Sequence, residues 1–324
     1  MKVVVTGGAG FIGANLCRTL AAHDAVERVV AFDDLSSGFR SNLDGVDATL
    51  IEATFLDRDA IDAAVDGAAA VVHLGARPSV PRSIADPVAS HDANATGTLN
   101  VLEAARAAGG AGGAGGAGGV QVIVASSSSV YGSNPILPKH EDLATRPMSP
   151  YAASKLATES YALAWQRSYD MPTLAFRFFN VFGPLQAAGH AYAAVVPAFV
   201  SAALAGEPLQ VHGDGTQSRD FTYVDTVCSV ITDAVVRQVS SPDPVNLAFG
   251  SRTNLLEVIA LLEELLGHTV AVEHTSPRVG DVPHSQAAND RLMALFPDVE
   301  PVDLRAGLTS TIDWFRSNAA TPQS

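Results

Sequence analysis

Lysine is scarce in this chain: three residues in 324, beside seventeen arginines. Basic residues of both kinds number 20 against 34 acidic ones, a net charge of -14 that excludes nucleic acid and anionic membranes as general partners. Cysteine is limited to Cys17 and Cys228, too few for a disulfide framework. No apolar run approaches the roughly 18 residues of a membrane span, and no secretory leader is visible, so a cytoplasmic location is expected. What is abundant is alanine and other apolar side chains, 47% of the chain, enough for a substantial core in one large domain or two intimate ones.

One of the three lysines, Lys155, follows Tyr151 by four residues in Ser-Pro-Tyr-Ala-Ala-Ser-Lys. That spacing places both on one face of a helix, and Pro150 suits its first turn. With six tyrosines and three lysines in the chain, chance would produce this spacing only about 0.06 times. A lysine and a cationic nicotinamide ring are expected to lower the tyrosine pKa from about 10, making it a general base. The serine row from Ser126 to Ser129 would supply a hydroxyl to relay or orient the proton.

The amino terminus predicts the cofactor that such a tyrosine needs. A β-branched run, Lys2–Thr6, leads into Gly7-Gly8-Ala9-Gly10-Phe11-Ile12-Gly13 and then a helical pattern. Glycines at 7, 10 and 13 allow a tight turn and close approach to a pyrophosphate, which the helix amino terminus attracts. Asp33 ends the next apolar run, twenty residues after Gly13. A carboxylate there accepts hydrogen bonds from ribose hydroxyls and repels a 2′-phosphate, favouring NAD over NADP.

Further apolar runs at 69–74, 120–125, 174–178 and 245–249 read as buried strands, separated by helical stretches at 93–108, 151–169 and 225–239. The alternation predicts a doubly wound parallel sheet with its ligand crevice at the carboxyl ends of the strands. A last helix over Leu255–Leu266, with Thr253 or Asn254 as cap and Gly267 as stop, is assigned to a smaller carboxyl-terminal lobe. Residues 108–119 form an Ala-Gly-Gly run without side chains for a core, expected to be a flexible insertion on the rim away from the crevice.

Together these segments resemble the nucleotide-sugar epimerase/dehydratase branch of the extended short-chain dehydrogenase/reductases, over nearly the whole chain. The landmarks are residues 6–13, His73-Leu-Gly-Ala76, Ser127-Ser-Ser-Val-Tyr-Gly132, Tyr151-x-x-x-Lys155, the 177–184 segment, Gly213-Asp-Gly215, Ser218-Arg-Asp-Phe221 and Arg278-Val-Gly-Asp281. The resemblance implies a Rossmann-type α/β fold. It assigns residues 1–180 and about 220–250 to NAD binding, and about 181–219 and 251–324 to a nucleotide-sugar lobe. It places NAD against Gly7, Gly10, Phe11, Ile12, Gly13, Asp33, Leu74, Gly75, Ala76, Asn94, Tyr151, Lys155 and Phe179. Ser127, Tyr151 and Lys155 become the catalytic set. Ser79, Ser127, Ser128, Ser129, Asn180, Val195, Val196, Arg219, Arg278, Asp281 and Ser285 are implied to hold a UDP-sugar; arginines suit a pyrophosphate in an acidic protein. A homodimer joined through the 93–108 and 151–169 helices is also implied. One departure stands out: Ala53-Thr54-Phe55 replaces the branch's usual Gly-Asp-Ile, so its aspartate contact to adenine is missing, with Asp57 nearby.

Within the branch, dehydratases eliminate with an Asp-Glu pair where this chain has Ser128 and Ser129, and decarboxylases keep the glutamate. A hydroxyl cannot replace a carboxylic acid as proton donor, which disfavours elimination and leaves 4-epimerisation. A bulky tyrosine in glucose-only epimerases aligns with Ser285, which leaves room for an N-acetyl group. The segments Ser79-Val-Pro-Arg-Ser83 and 192–197 likewise resemble the UDP-N-acetylglucosamine 4-epimerases. The expected activity is therefore 4-epimerisation of both plain and acetylated UDP-hexoses. The alternatives are a UDP-glucuronate 4-epimerase or decarboxylase using Arg77 or Arg82, a dTDP-sugar enzyme, and an inactive NAD-sensing binding protein.

Overall fold

The computed structural model describes residues 1–109, 119–188, 194–276 and 283–318. The apolar runs form a seven-stranded, all-parallel sheet among these residues. Its strands are β1 (Lys2–Thr6), β2 (Arg28–Asp33), β3 (Ala48–Glu52), β4 (Ala70–His73), β5 (Gln121–Ser127), β6 (Thr173–Phe178) and, later in the chain, β11 (Val245–Leu247). The order is β11-β6-β5-β4-β1-β2-β3, so the winding reverses between β1 and β4 and opens a crevice at their carboxyl ends. This bears out the doubly wound, Rossmann-like sheet expected from the alternation.

Helices on both faces explain the unbroken hydrophobicity of the strands. Val3 and Val5 point to one face, against Leu16 and Leu20 of α1 (Phe11–Ala21) and Val227 and Ile231 of α8 (Val224–Val236). Val4 and Val30 point to the other, against Ile61 and Val65 of α2 (Arg58–Val65) and Val101 and Leu102 of α5 (Gly97–Gly109). Two short helices, α3 (Val80–Ala85) and α4 (Pro87–His91), precede α5, and α6 (Pro150–Tyr169) packs beside it.

Three two-stranded pairs complete the described strands. β7 (Asn180–Phe182) pairs with β10 (Phe221–Tyr223), β8 (Leu209–His212) with β13 (Val272–Thr275), and β9 (Ser218–Arg219) with β12 (Thr253–Asn254). Around them pack α7 (Val195–Ala205), α9 (Leu255–Leu266) and α11 (Leu304–Asn318), while α10 (Asp290–Leu295) lies against β11. Asn254, rather than Thr253, caps α9: its side chain accepts from the Glu257 amide and the Glu257 carboxylate accepts from the Asn254 amide.

The structure corrects the helix predicted over 93–108. Residues Asp92–Thr96 form a widened π turn and the α-helix begins only at Gly97. The Asn94 carbonyl instead accepts from the hydroxyls of Thr98 at 2.5 Å and Thr158 at 2.8 Å. Of the glycine-rich run, residues 110–118 lie outside the described residues. Its flanks are adjacent, because a Cβ on Gly109 would stand 3.0 Å from the Gly119 Cα, and they meet at the amino end of β5, opposite the crevice.

Candidate active site

The glycine turn is built by close backbone approach. Gly7 has φ +69 and donates its amide to the Phe32 carbonyl at 2.8 Å. A Cβ on Gly13 would lie 2.0 Å from the Gly7 carbonyl oxygen, so α1 can start against the turn only with glycine there. Gly10 is the N-cap and offers no side chain, which leaves the first-turn amides near Phe11 and Ile12 without a side-chain cap. Asp33, 7% exposed, accepts from the Ala9 amide at 3.0 Å and the Leu35 amide at 2.8 Å. Burial pushes its carboxyl pKa up, and those two amides pull it back.

These residues open on a cavity of about 440 Å³ lined by Gly7, Asp33, Ser36, Phe55, Gly75 and Ala76, among others. Phe55 lies under Gly75 and edge-on to His73, at 5.3 Å between ring centroids. It gives an apolar wall where the sequence lacks the branch's aspartate. Asp57 does not substitute: its carboxylate caps α2, accepting from the Ala60 amide at 3.2 Å. Leu74 ends the β4 crossing, its amide bonded to the Thr6 carbonyl at 3.1 Å. Asn94 stands behind the wall. It is 1% exposed, accepts from the Arg77 amide at 2.7 Å and donates to Ser154 Oγ at 2.9 Å, so it shapes the Arg77 loop.

At the next strand end, Ser149 caps α6 by accepting from the Ala152 amide at 3.1 Å, and Pro150 occupies the first turn. Tyr151 and Lys155 project from that helix towards β5. The half-buried Tyr151 phenol lies close enough to Ser127 for that hydroxyl to favour its ionised form, and the Lys155 ammonium donates to the Ala125 carbonyl at 2.7 Å. In the protein alone, burial holds the Tyr151 hydroxyl above the ordinary tyrosine value, with only Ser127 opposing it. Burial likewise brings Lys155 down to about 8. A lysine that bonds a strand carbonyl in a desolvated site contributes little to the phenol. A bound nicotinamide would supply the positive charge that lowers the tyrosine.

The Phe179 ring, 8% exposed, lies 6.4 Å from that of Tyr131. One residue on, Asn180 enters a second cavity of about 330 Å³ together with Val195, Val196, Arg219, Phe221 and Gln217. Four substrate residues inferred from sequence are thus brought together there. Arg219 Nη1 donates to the Ser218 carbonyl at 2.9 Å. Ser285 is fixed by its amide, which donates to the Ser218 carbonyl at 3.0 Å. Ser79 caps α3, accepting from the Arg82 amide at 3.3 Å, with φ +103. Ser128 begins the short 3-10 turn after Ser127. Arg278 and Asp281 lie outside the described residues. Because β5 lies between β4 and β6, the Ser127 and Tyr151 hydroxyls stand between the strand ends that serve the two cavities.

Residues 3–248 match the family described as the NAD dependent epimerase/dehydratase family. The chain belongs to this family. It is 35% identical over 330 residues to the UDP-glucose 4-epimerase of Mycolicibacterium smegmatis, covering 98% of this chain and 100% of that one. Among solved structures it is similar to a UDP-N-acetylglucosamine 4-epimerase from Methanobrevibacter ruminantium M1 in complex with UDP-N-acetylmuramic acid. The TM-score is 0.89 at 33% identity, covering 98% of each chain. It is also similar to the UDP-glucuronic acid 4-epimerase of Bacillus cereus in complex with UDP-glucuronic acid and NAD, with a TM-score of 0.85 at 26% identity, covering 98% and 99%.

The residues present fit the family cofactor, NAD. The glycine cradle leaves no room for a Cβ at residue 13, uncapped helix amides face it, and Asp33 retains acceptor capacity for ribose hydroxyls. When bound, NAD supplies a reversible hydride acceptor. Three groups of supporting residues have contacts that sequence reasoning did not give, although His73, Arg177 and Asp220 stand in its landmark segments. His73 bridges Thr6 Oγ1 at 2.7 Å and Thr98 Oγ1 at 3.2 Å, and burial lowers its pKa to about 3, so it is neutral. Glu159 takes Arg177 through two bonds, 2.6 and 2.9 Å, and Ser126 Oγ at 2.8 Å, tying α6 to β5 and β6. Asp220, fully buried, accepts from the amides of Gly250 and Ala287 and from Ser251 Oγ, each at 3.0 Å. Beyond the landmark segments that hold His73, Arg177 and Asp220, the sequence signal for Glu159 was spacing: Tyr151, Lys155 and Glu159 recur every four residues.

Proposed function

We propose that the protein is a UDP-hexose 4-epimerase that interconverts UDP-glucose with UDP-galactose and UDP-N-acetylglucosamine with UDP-N-acetylgalactosamine, through a transient 4-keto sugar and with tightly bound NAD. The observation that carries this reading is the hydroxyl-only set at the strand end. Ser127, Ser128 and Ser129 accompany Tyr151, and no carboxylic acid stands at 128 or 129 to drive elimination. Tyr151 takes the proton of the sugar 4-hydroxyl through or beside Ser127 and later returns it. Lys155 holds α6 to β5 so that the two hydroxyls stay in reach. The second cavity, with Arg219 and Asn180, would take the nucleotide diphosphate together with Arg278 and Asp281, while Ser79 and Ser285 would border the sugar.

A UDP-glucuronate 4-epimerase is the second reading, favoured by the arginines Arg77 and Arg82 at the edge of the first cavity. Arg77 is already paired with Asp86 at 3.2 Å, which weakens its claim on a sugar carboxylate. Other parts of the proposal are the division into an NAD-binding part and a nucleotide-sugar part, a cytoplasmic location, and a homodimer. Half-buried Tyr161 and Trp165 on α6, beside α5, supply apolar surface for the dimer. The test is incubation of purified protein with a panel of UDP-sugars and no added NAD, followed by separation of epimers. Turnover of the glucose and N-acetylglucosamine forms is expected; turnover of UDP-glucuronate alone favours the second reading, and no interconversion at all overturns both.

A further inference from the structure

Ser127 is approached twice by the residue two places ahead of it. The Ser129 amide donates to Ser127 Oγ at 3.2 Å and the Ser129 hydroxyl donates to the same atom at 2.9 Å. A hydroxyl oxygen has two lone pairs and one proton. Both lone pairs are therefore in use, and the one proton is left to turn to Tyr151, the neighbouring phenol that Ser127 favours in its ionised form. The donation runs from Ser129 to Ser127, and with the remaining proton turned to Tyr151 the aligned hydroxyls would polarise one another.

We infer that the Ser129 hydroxyl is a positioning group that occupies, in the free enzyme, the acceptor site on Ser127 that the reacting sugar hydroxyl later takes. The inference rests on the proposed roles of Ser127 and Tyr151 in proton transfer. Before substrate arrives, Ser129 keeps the Ser127 proton directed at the Tyr151 oxygen. When the sugar 4-hydroxyl replaces it, that hydroxyl gives its proton to Ser127 Oγ as the Ser127 proton passes to the Tyr151 oxygen. Direction is set before the reaction rather than during it. Loss of the Ser129 side chain leaves the amide cap intact but opens one lone pair, and the Ser127 proton is no longer confined to Tyr151.

Other groups around α6 do not supply this bias. Its neighbours bring Arg82 of α3, His91 of α4, Asp92 of the π turn and Arg177 of β6, the last paired with Glu159 at 2.6 Å. Glu103 and Arg106 of α5 pair with each other at 2.7 Å, and Lys155 is bonded to the Ala125 carbonyl. Among the described residues, Ser127 is the group that opposes the effect of burial on the Tyr151 phenol.

The test uses the cofactor-loaded full chain and the variants Ser129→Ala and Ser129→Thr. Tyrosinate absorbance is titrated with pH, and subtraction of the Tyr151→Phe titration isolates the Tyr151 step without any need for substrate. Ser129→Ala is expected to move that step up by about 0.5–1 pH unit, the reach of one neutral hydrogen bond, and Ser129→Thr to restore it. The acid limb of kcat/KM, which reports the free enzyme, should move with it, while that of kcat, which reports the complex, stays in place. An unmoved Tyr151 step overturns the inference, as does a threonine variant displaced as far as alanine. A rise in KM with both limbs in place also overturns it and makes Ser129 a substrate contact. Absence of any UDP-sugar turnover sinks the proposed function but leaves the titration decisive for Ser129.

Discussion

Replacing Asp220 tests whether the two parts of the candidate site are held together by one buried carboxylate. Its Oδ2 accepts from the amides of Gly250 and Ala287, and its Oδ1 from Ser251 Oγ. The Ser251 hydroxyl can turn to the Phe221 carbonyl at 3.5 Å; the amides have no such freedom. Asp220→Asn, with its carbonyl in the Oδ2 position, keeps both amides satisfied. Asp220→Ala orphans them, at about 1–3 kcal/mol for each buried donor. The difference between the variants is therefore expected to be at least about 2 kcal/mol, with Ala the less stable, read from urea unfolding at neutral pH. A second signature is pH. Burial raises the Asp220 pKa above 3.8 against the bonds it accepts, so the folded state favours the protonated acid. That contribution is full below 3.8 and is lost as pH rises through the raised folded value. Wild type should accordingly lose stability relative to Asp220→Asn over that interval. Equal stability of Ala and Asn, or a wild-type advantage that grows with rising pH, would refute the reasoning.

Tyr151→Phe should lower epimerisation at least about 10²-fold, the usual worth of a positioned base, and near-normal turnover would remove the tyrosine from the chemistry. Ser285→Tyr should suppress turnover of UDP-N-acetylglucosamine while sparing UDP-glucose; parallel epimer assays showing both intact would end the wall argument. Lys155→Met should stabilise the cofactor-free protein at neutral pH. The fall from 10.5 to about 8 is equivalent to about 3 kcal/mol of burial cost, at 1.36 kcal/mol per unit, offset by roughly 1 kcal/mol for the abandoned Ala125 carbonyl. Because the folded pKa is depressed, wild type loses stability as pH falls through about 8, so the advantage of the variant should shrink above that pH in thermal unfolding.

Features governed by local chemistry were legible in the chain. Apolar runs marked β1, β2, β4 and β5, while Pro150 marked the start of α6 and a capping residue that of α9. The glycine turn and its carboxylate could be read because steric need leaves few residue choices. What escaped was set by contacts between distant residues. The π turn depends on Thr158 reaching Asn94 across 64 positions, and no periodicity near residue 94 reports that. Spacing brought Lys155 beside Tyr151 but could not report the burial of either group or the bond of Lys155 to Ala125, which depend on distant strands. Phe55, noted in the sequence only as part of the segment in which Thr54 replaces the usual aspartate, is a wall of the cofactor cavity.

The adjacency of Gly109 and Gly119 has an engineering consequence. A segment whose ends touch leaves and rejoins the fold at one point, so changing its length adds little to the cost of closing the loop. That point lies at the amino end of β5, a full strand away from Ser127. A reporter domain, an affinity handle or a new pair of chain termini could be spliced there without altering the register that aligns the hydroxyls.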